Sequence, residues 1–326
     1  MKTQLIPKRI SLANIPTPIQ KISFEGEPFF IKRDDLTGLE TSGNKIRKLE
    51  YLLYQAKKEK ADYVFTCGGE QSNHARATAF AAASLGIKSK LFLWGSNSPN
   101  AEGNLFLDKV LGCEFRFLSK NEFGNANTIM EEEKISFEKK GKKVSLIPEG
   151  GSSPLGIWGY IHAVEEMRDQ NIFKQCNAVV TASGSGGTTA GLLVGSLLFK
   201  QKLKIFAVNV LYPKSEIKEK ILSLAEEAIK DFRLPVKLDE NQLEILDGYS
   251  KEGYKHISDD KLSLIKSFAR QSGIILDPAY TGKAFNAYHD NFLSAKTSKT
   301  LFIHTGGLYG VFSKRKKYLL NFKEKK

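Results

Sequence analysis

Apolar residues recur along this chain in two alternating rhythms. Short apolar, β-branched runs predict strands at residues 27–32, 62–66, 90–94, 113–118, 144–147, 178–181, 204–212 and 300–303. Between them, apolar positions three and four apart predict helices, as in Ile46, Leu49, Leu52, Leu53 and Ala56. Further helical stretches fall at 73–85, 104–111, 127–140, 155–168, 215–232 and 261–271. Residues 1–30 read as an irregular arm that runs into the first strand, extended at Ile15-Pro16-Thr17-Pro18. Strands alternating with helices predict an α/β protein with mostly parallel, twisted sheets flanked by helices.

Several of these strands end in loops rich in Gly, Ser, Thr and Asn that open a helix. Open α/β sheets bind ligands at such carboxyl ends. The loop at Thr41-Ser42-Gly43-Asn44-Lys45 places Lys45 at a helix start, with Gly43 and Asn44 as turn and cap residues. Unpaired N–H groups, the helix dipole and the cations Arg47 and Lys48 all disfavour an ammonium there. A lysine able to shed its proton is a candidate Schiff-base former, although most lysines opening helices are solvated surface charges.

The segment Ser183-Gly184-Ser185-Gly186-Gly187-Thr188 reads as a phosphate cup. Glycines admit an anion to backbone N–H groups, two hydroxyls add donors, and a helix N-terminus follows. It lacks the Gly-Lys-Ser/Thr of a nucleotide-binding loop, and it does not open the first strand–helix unit as a dinucleotide fingerprint does. The competing reading is a turn that only allows tight strand–helix packing. Gln71-Ser72-Asn73-His74 is a further polar turn. Ser72 there is a hydroxyl catalyst, a carboxylate binder or a plain helix cap, and Asn73 is a partner for a phenolic oxygen.

Charge changes this picture little. The formal net charge of +13 admits a nucleic-acid or membrane-surface partner, but the stretch 314–326 alone carries seven basic residues and one acid. The remaining excess reads as solvated helix faces and as a field that attracts an anionic cofactor or substrate. No aromatic interleaving supports nucleic-acid binding. Cys67, Cys113 and Cys176 show neither disulfide nor zinc spacing, so no metal is expected and a reducing compartment is. The first ten residues lack a signal-peptide pattern, and no apolar run reaches membrane-spanning length. A cytoplasmic protein follows. The 326 residues suffice for two domains.

Four motifs in order, Gly43-Asn44-Lys45-Ile46-Arg47-Lys48-Leu49-Glu50, Gln71-Ser72-Asn73-His74, the 183–191 loop and Asp277-Pro278-Ala279-Tyr280-Thr281-Gly282-Lys283, carry a family resemblance. The chain resembles the 1-aminocyclopropane-1-carboxylate deaminase/D-cysteine desulfhydrase family over nearly its whole length. These are pyridoxal-phosphate enzymes of the tryptophan-synthase-β-like fold. The resemblance implies that Lys45 carries pyridoxal 5'-phosphate as a Schiff base. Lys48 and the groups around Ala182, Ser185, Gly186, Gly187 and Thr188 would hold its phosphate. Asn73 would meet the ring oxygen, Ser72 the substrate carboxylate, and Tyr280 the ring and reacting carbon. It also implies a small amino-acid substrate, a homodimer, a large domain of residues 1–48 and 157–326, and an inserted small domain of 49–156.

Within the family, the cyclopropane deaminases carry glutamate after the tyrosine, where this chain has Thr281. Thr305, in His304-Thr305-Gly306-Gly307, resembles the hydroxyl that meets the pyridine nitrogen in the desulfhydrase branch. A hydroxyl leaves that nitrogen unprotonated and the ring a weaker electron sink, which suits β-elimination. His74 matches the same branch. The expected reaction is therefore D-cysteine to pyruvate, ammonia and hydrogen sulfide. Cyclopropane deamination to 2-oxobutyrate and cysteate cleavage are the alternatives within the family, and a non-catalytic pyridoxal-phosphate binder is the alternative outside it. Glu70, Trp158 and Leu308-Tyr309-Gly310 depart from the pattern expected near the substrate.

Overall fold

The computed structural model describes residues 6–253, 256–295 and 299–319. Among the described residues, ten strands form two sheets. They are β1 (Ile19–Phe24), β2 (Glu27–Arg33), β3 (Tyr63–Gly69), β4 (Lys88–Trp94), β5 (Glu114–Leu118), β6 (Val144–Ile147), β7 (Ala178–Ser183), β8 (Lys204–Asn209), β9 (Leu243–Leu246) and β10 (Thr300–His304). One sheet runs β1-β2-β10-β7-β8-β9 and the other β5-β4-β3-β6. Every pairing is parallel except β1 with β2.

The antiparallel hairpin corrects the irregular-arm reading of residues 1–30. Glu25 and Gly26 have φ of 52° and 84°, both positive, as a two-residue type I′ turn requires, and Phe24 lies opposite Glu27. The edge strand β9 was likewise absent from the sequence reading, and β8 stops at Asn209, short of 212. After β10 come two short helices, Leu308–Phe312 and Arg315–Leu319, and residues 320–326 of the basic stretch lie outside the described residues.

The larger sheet is buried on both faces, which is why its central strands read as continuous apolar runs. On β7, Val179 enters a core with the helices Trp158–Asp169 and Gly187–Leu198, while Val180 enters another with Asp259–Ser272 and Thr281–Tyr288. The helix Lys45–Lys58 lays Ile46, Leu49, Leu53 and Ala56 against Val64, Ile147 and the alanines of Asn73–Ala83. Each fully buried leucine contributes about 1.5–3 kcal/mol by leaving water. That helix thus belongs in its packing to the smaller sheet, while its first residue stands among loops of the larger one.

Under the first turn of the Lys45 helix lies a buried ionic cluster. Arg47 donates to Asp34 at 2.8 and 3.0 Å and to Glu166 at 2.8 and 2.9 Å; Lys32 reaches Glu166 at 2.5 Å; and Tyr160 donates to Asp34 at 2.5 Å. Two cations face two carboxylates, so the charges balance. The arm is tied to the same helix through Glu50, which accepts the N–H groups of Leu12 and Ala13 at 2.9 Å and pairs with Arg9 at 2.7 Å.

Candidate active site

Loops from the carboxyl ends of β2, β3, β6, β7 and β10 meet in one cleft between the sheets. It is lined by Asn44, Lys45, Lys48, Ser72, Asn73, His74, Glu149, Gly150, residues 182–188, Tyr280, Thr305 and Gly306. The structure thus brings together every residue singled out in the sequence as a site residue: Lys45, Lys48, Ser72, Asn73, Ala182, Ser185, Gly186, Gly187, Thr188, Tyr280 and Thr305. The loops before Lys45 and after His304 touch backbone to backbone. Gly43 (φ 108°) and Gly306 (φ 92°) allow this, since a Cβ on Gly306 would lie 2.6 Å from Gly43 Cα. The Asn44 N–H then donates to the Thr305 carbonyl at 3.1 Å.

Lys45 opens its helix as expected. Its ammonium is lowered to about 8 by burial, with Glu149 and Asp277 pulling it back up. This corrects the cause given from sequence. Arg47, named there as a cationic neighbour, is turned away into the Asp34–Glu166 cluster. Asn44 is not a side-chain cap either. Its amide donates to Thr188 Oγ1 at 2.9 Å, and its carbonyl oxygen accepts from Lys45 Nζ at 3.1 Å.

Lys48 is buried and donates to the Gly150 carbonyl at 3.1 Å and Ser152 Oγ at 3.3 Å. No carboxylate of the described residues pairs with it. Burial first, then Lys45, hold its ammonium well below the ordinary range. Ser152 and Ser185 hydroxyls stand 2.8 Å apart. Beside them the helix Gly187–Leu198 begins without a side-chain cap after Gly186, whose φ is 84°. Gly187 leaves the space open: a Cβ there would come within 2.4 Å of Ser152 Oγ and 2.7 Å of Lys48 Nζ. A buried cation, three hydroxyls and unpaired N–H groups around a glycine-lined hollow make an anion cradle.

At the β3 loop, Ser72 caps its helix by accepting the Ala75 N–H at 3.1 Å. The cap reading is realised, and it leaves the hydroxyl proton available to the cleft. Asn73 Oδ1 accepts from Asn104, which is itself fixed to Gln71 by its N–H at 3.0 Å and its amide at 2.9 Å. Thr66 donates to the Ile147 carbonyl and so accepts from His74 Nε2 at 2.8 Å, leaving the buried Nδ1 without a hydrogen-bond partner among the described residues. His74 is held neutral by burial, then by Lys45 and Lys48.

At the remaining wall, Asp277 is buried and accepts from the N–H groups of Ala279, Tyr280 and Thr281 and from the Thr281 hydroxyl. This orients Tyr280, whose ring covers Gly184; a Cβ on Gly184 would lie 3.2 Å from it. Thr305 lines the cleft with a hydroxyl that has no hydrogen-bond partner among the described residues.

Sequence reasoning missed Asn44 as a bridge, Ser152, Glu149, Asp277 and Arg76. The Glu149-Gly150-Gly151-Ser152 loop after β6 carried the signal for Glu149 and Ser152, since it repeats the Gly/Ser pattern of the other site loops. Glu149 accepts from the Tyr212 hydroxyl at 3.3 Å, and burial raises its carboxyl. Arg76 is wholly buried. It donates to the carbonyls of Glu40 and Ser42, the latter at 2.9 Å, and lies 4.8 Å over the Tyr309 ring. Trp158 is a core residue, edge-on to Phe232 at 5.3 Å, and takes no part in the cleft. Among the described residues, no group of three or more His, Cys, Asp or Glu is arranged to hold a metal ion, and no helix is long and apolar enough to cross a membrane.

Comparison with known families shows which cofactor the chain uses. Residues 10–306 match the family model described as pyridoxal-phosphate dependent enzyme. The chain belongs to that family. Its relatives narrow the branch. A Thermotoga maritima protein named "Putative 1-aminocyclopropane-1-carboxylate deaminase" is 42% identical over 95% of this chain and 99% of its own. The Arabidopsis thaliana "Bifunctional D-cysteine desulfhydrase/1-aminocyclopropane-1-carboxylate deaminase, mitochondrial" is 37% identical over 93% of this chain and 79% of its own. A crystal structure described as an ACC deaminase homologue superposes with a TM-score of 0.88 at 37% identity, covering 96% of both chains. The chain is a pyridoxal-phosphate-dependent lyase of tryptophan-synthase-β-like fold. The residues present fit the cofactor. A buried lysine without a carboxylate suits a phosphate, and a second lysine with its proton held loosely suits an aldehyde.

Proposed function

We propose that this lyase eliminates the β-substituent of D-cysteine, releasing pyruvate, ammonia and hydrogen sulfide. The observation that carries the reading is the pair Thr305 and Thr281. The cleft presents the free Thr305 hydroxyl, whereas the hydroxyl of Thr281, which stands where the deaminases have an acid, is consumed by Asp277. Bound pyridoxal phosphate supplies a conjugated ring that draws negative charge from the α-carbon of an amino acid. Lys48, Ser185, Thr188 and the N–H groups opening the Gly187–Leu198 helix hold its phosphate. Thr305 meets the ring nitrogen and Asn73 the ring oxygen. Ser72, with the N–H groups opening its helix, holds the substrate carboxylate, as helix N-termini hold anions. Lys45 Nζ, partly buried and near neutrality, takes the α-proton. Tyr280 stands against the ring and the reacting carbon.

The reading includes the division into residues 1–48 and 157–326 against 49–156. In its favour, the strands of the larger sheet fall within 19–33 and 178–304 and those of the smaller within 63–147. It also includes a cytoplasmic location, the expectation from the sequence, and a homodimer, the organisation the family resemblance implies; sedimentation at micromolar concentration tests the dimer. The names of the relatives favour a second reading, opening of the cyclopropane amino acid to 2-oxobutyrate and ammonia. Purified holoprotein incubated with each substrate separates the two. Sulfide and pyruvate from D-cysteine are expected. Efficient 2-oxobutyrate formation without sulfide would overturn the first reading in favour of the second.

A further inference from the structure

Asn73, proposed above to meet the ring oxygen of the cofactor, carries an amide whose two ends do opposite things. The NH2 donates and the carbonyl oxygen accepts. Which end faces the cleft decides whether the ring oxygen is held as an anion or as a hydroxyl. We infer that Asn104 and Gln71 are positioning residues that fix this choice: they commit the Asn73 oxygen, so that the Asn73 NH2 is the group offered to the ring oxygen. The inference rests on the proposed contact between Asn73 and that oxygen, and gives the contact its direction.

Backbone groups set the direction, because their roles cannot be exchanged. A main-chain carbonyl only accepts, so the Asn104 side-chain atom 2.9 Å from the Gln71 carbonyl is its NH2. The second proton of that NH2 goes to Asn73 at 3.0 Å, and the Asn73 atom that receives it is Oδ1. Turning Asn104 over would press its oxygen against the Gln71 carbonyl oxygen. The Gln71 side chain is fixed in the same way. The Asn104 main-chain N–H only donates, so it meets Gln71 Oε1, at 3.0 Å. The Glu102 carbonyl only accepts, so it takes Gln71 Nε2, at 2.9 Å. Two carbonyls and one N–H thus orient all three amides.

The fold makes room for this relay. Asn104 is wholly buried in the first turn of the helix Gly103–Val110, where main-chain N–H groups lack helical partners, and Gln71 takes up one of them. Gly103, with φ of 59°, admits the Gln71 side chain: a Cβ there would lie 2.6 Å from Gln71 Oε1. Asn104 uses both amide protons, while its own buried oxygen has no partner among the described residues. Asn73 lines the cleft, and its Nδ2 makes no hydrogen bond with the described residues. A donor at that point favours an ionised ring oxygen over a hydroxyl, since a hydrogen bond to a charged oxygen is the stronger one.

Absorbance of the holoprotein, titrated with pH, reads the ionisation directly, because the ring absorbs at longer wavelength when its oxygen is ionised. Asn104→Asp is the deciding variant. A carboxyl offers one proton at most, so it cannot serve both the Gln71 carbonyl and Asn73 Oδ1; Asn73 turns over and shows its oxygen to the ring. The ratio of long- to short-wavelength bands is expected to fall about tenfold, and the pH at which the bands interchange to rise by about one unit. Asn104→Ala only releases Asn73 and is expected to lower the ratio about threefold. This milder variant decides the matter where the first fails to fold. Asn73→Ala should itself lower the ratio, and Asn104→Asp combined with it should lower the ratio no further, whereas a purely structural Asn104 would add its own effect. A ratio lowered by Asn73→Ala but by neither Asn104 variant overturns the inference and leaves the ring-oxygen contact standing. A further fall in the double variant overturns the route through Asn73. A ratio that Asn73→Ala leaves unchanged overturns the contact itself, and the inference with it.

Discussion

Asp277 engages the Thr281 hydroxyl as both acceptor and donor. The Thr281 hydroxyl donates to Asp277 Oδ1 at 2.6 Å and accepts the Asp277 N–H at 2.9 Å. Thr281 is therefore a strut beneath Tyr280, and in the proposed reading Thr305 is the hydroxyl that meets the cofactor. Thr281→Val should lower stability by about 1–3 kcal/mol, because a buried carboxylate loses a donor, with the position of the cofactor absorbance band unchanged. Thr305→Val should do the reverse, moving the band and slowing elimination about tenfold at constant melting temperature. Melting curves and spectra of the two variants check both.

Lys48 sits buried without a counter-charge among the described residues, an arrangement that costs stability until an anion arrives. Lys48→Met should leave the apoprotein as stable or more so. Its affinity for pyridoxal phosphate should fall about 10- to 100-fold, the loss of a charge-assisted hydrogen bond. Chemical denaturation of the apoprotein and titration with the cofactor measure the two effects separately.

Lys45 couples to an aldehyde only as the free amine. With its ammonium lowered to about 8, the amine is the minor form below that pH and the major form above it. The rate at which apoprotein acquires the cofactor band should rise about tenfold per pH unit toward 8 and then level. Lys45→Ala should bind the cofactor without a borohydride-reducible linkage and show no turnover. Stopped-flow absorbance across this range reads the profile.

Arg47 and Asp34 predict the acid limit of the fold. Burial raises the Asp34 carboxyl, but Arg47 and Lys32 beside it overcome that and hold it at about 2, below the ordinary 3.8. Its stabilising contribution is complete above 3.8 and is lost as pH falls from there through about 2. Arg47→Met should remove this protection and cost about 3–5 kcal/mol at neutral pH, since it leaves the buried Asp34 carboxylate without its paired cation while Glu166 keeps Lys32. Acid titration of ellipticity for both proteins shows whether the transition moves to higher pH in the variant.

What could be read in the sequence and what could not divide along physical lines. The Lys45 helix, the central strands and the Gly/Ser loops were legible because periodicity and turn chemistry are local. The hairpin of β1 and β2 escaped because Gln20-Lys21 breaks the alternation, although Glu25-Gly26 marked its turn. Asn44 looked like a cap because its bond to Thr188 spans 144 positions of chain. The lowered ammonium of Lys45 was anticipated in direction, but its cause is burial, which only the meeting of the two sheets creates. Arg47 was misjudged for the same reason, since its partners Asp34 and Glu166 come from two other elements. Arg76 carried no signal at all: an arginine in an alanine-rich helix reads as solvated, and its burial depends on Tyr309 and the carbonyls of Glu40 and Ser42.

The common direction of the strands has a practical corollary for instrumenting the protein. With the cleft assembled from carboxyl-end loops, the turns that feed the opposite ends of β4, β5 and β6 are free of it. Gly86, Gly112 and Gly141 mark those turns, and nothing lies within 4 Å of where their side chains would project. Reporter groups attached to the exposed residues beside them, such as Ser84, Val110 or Lys142, would ride on the smaller sheet at a distance from the chemistry. Paired with a second label on the larger sheet, they would register any change in the angle between the two as cofactor and substrate enter.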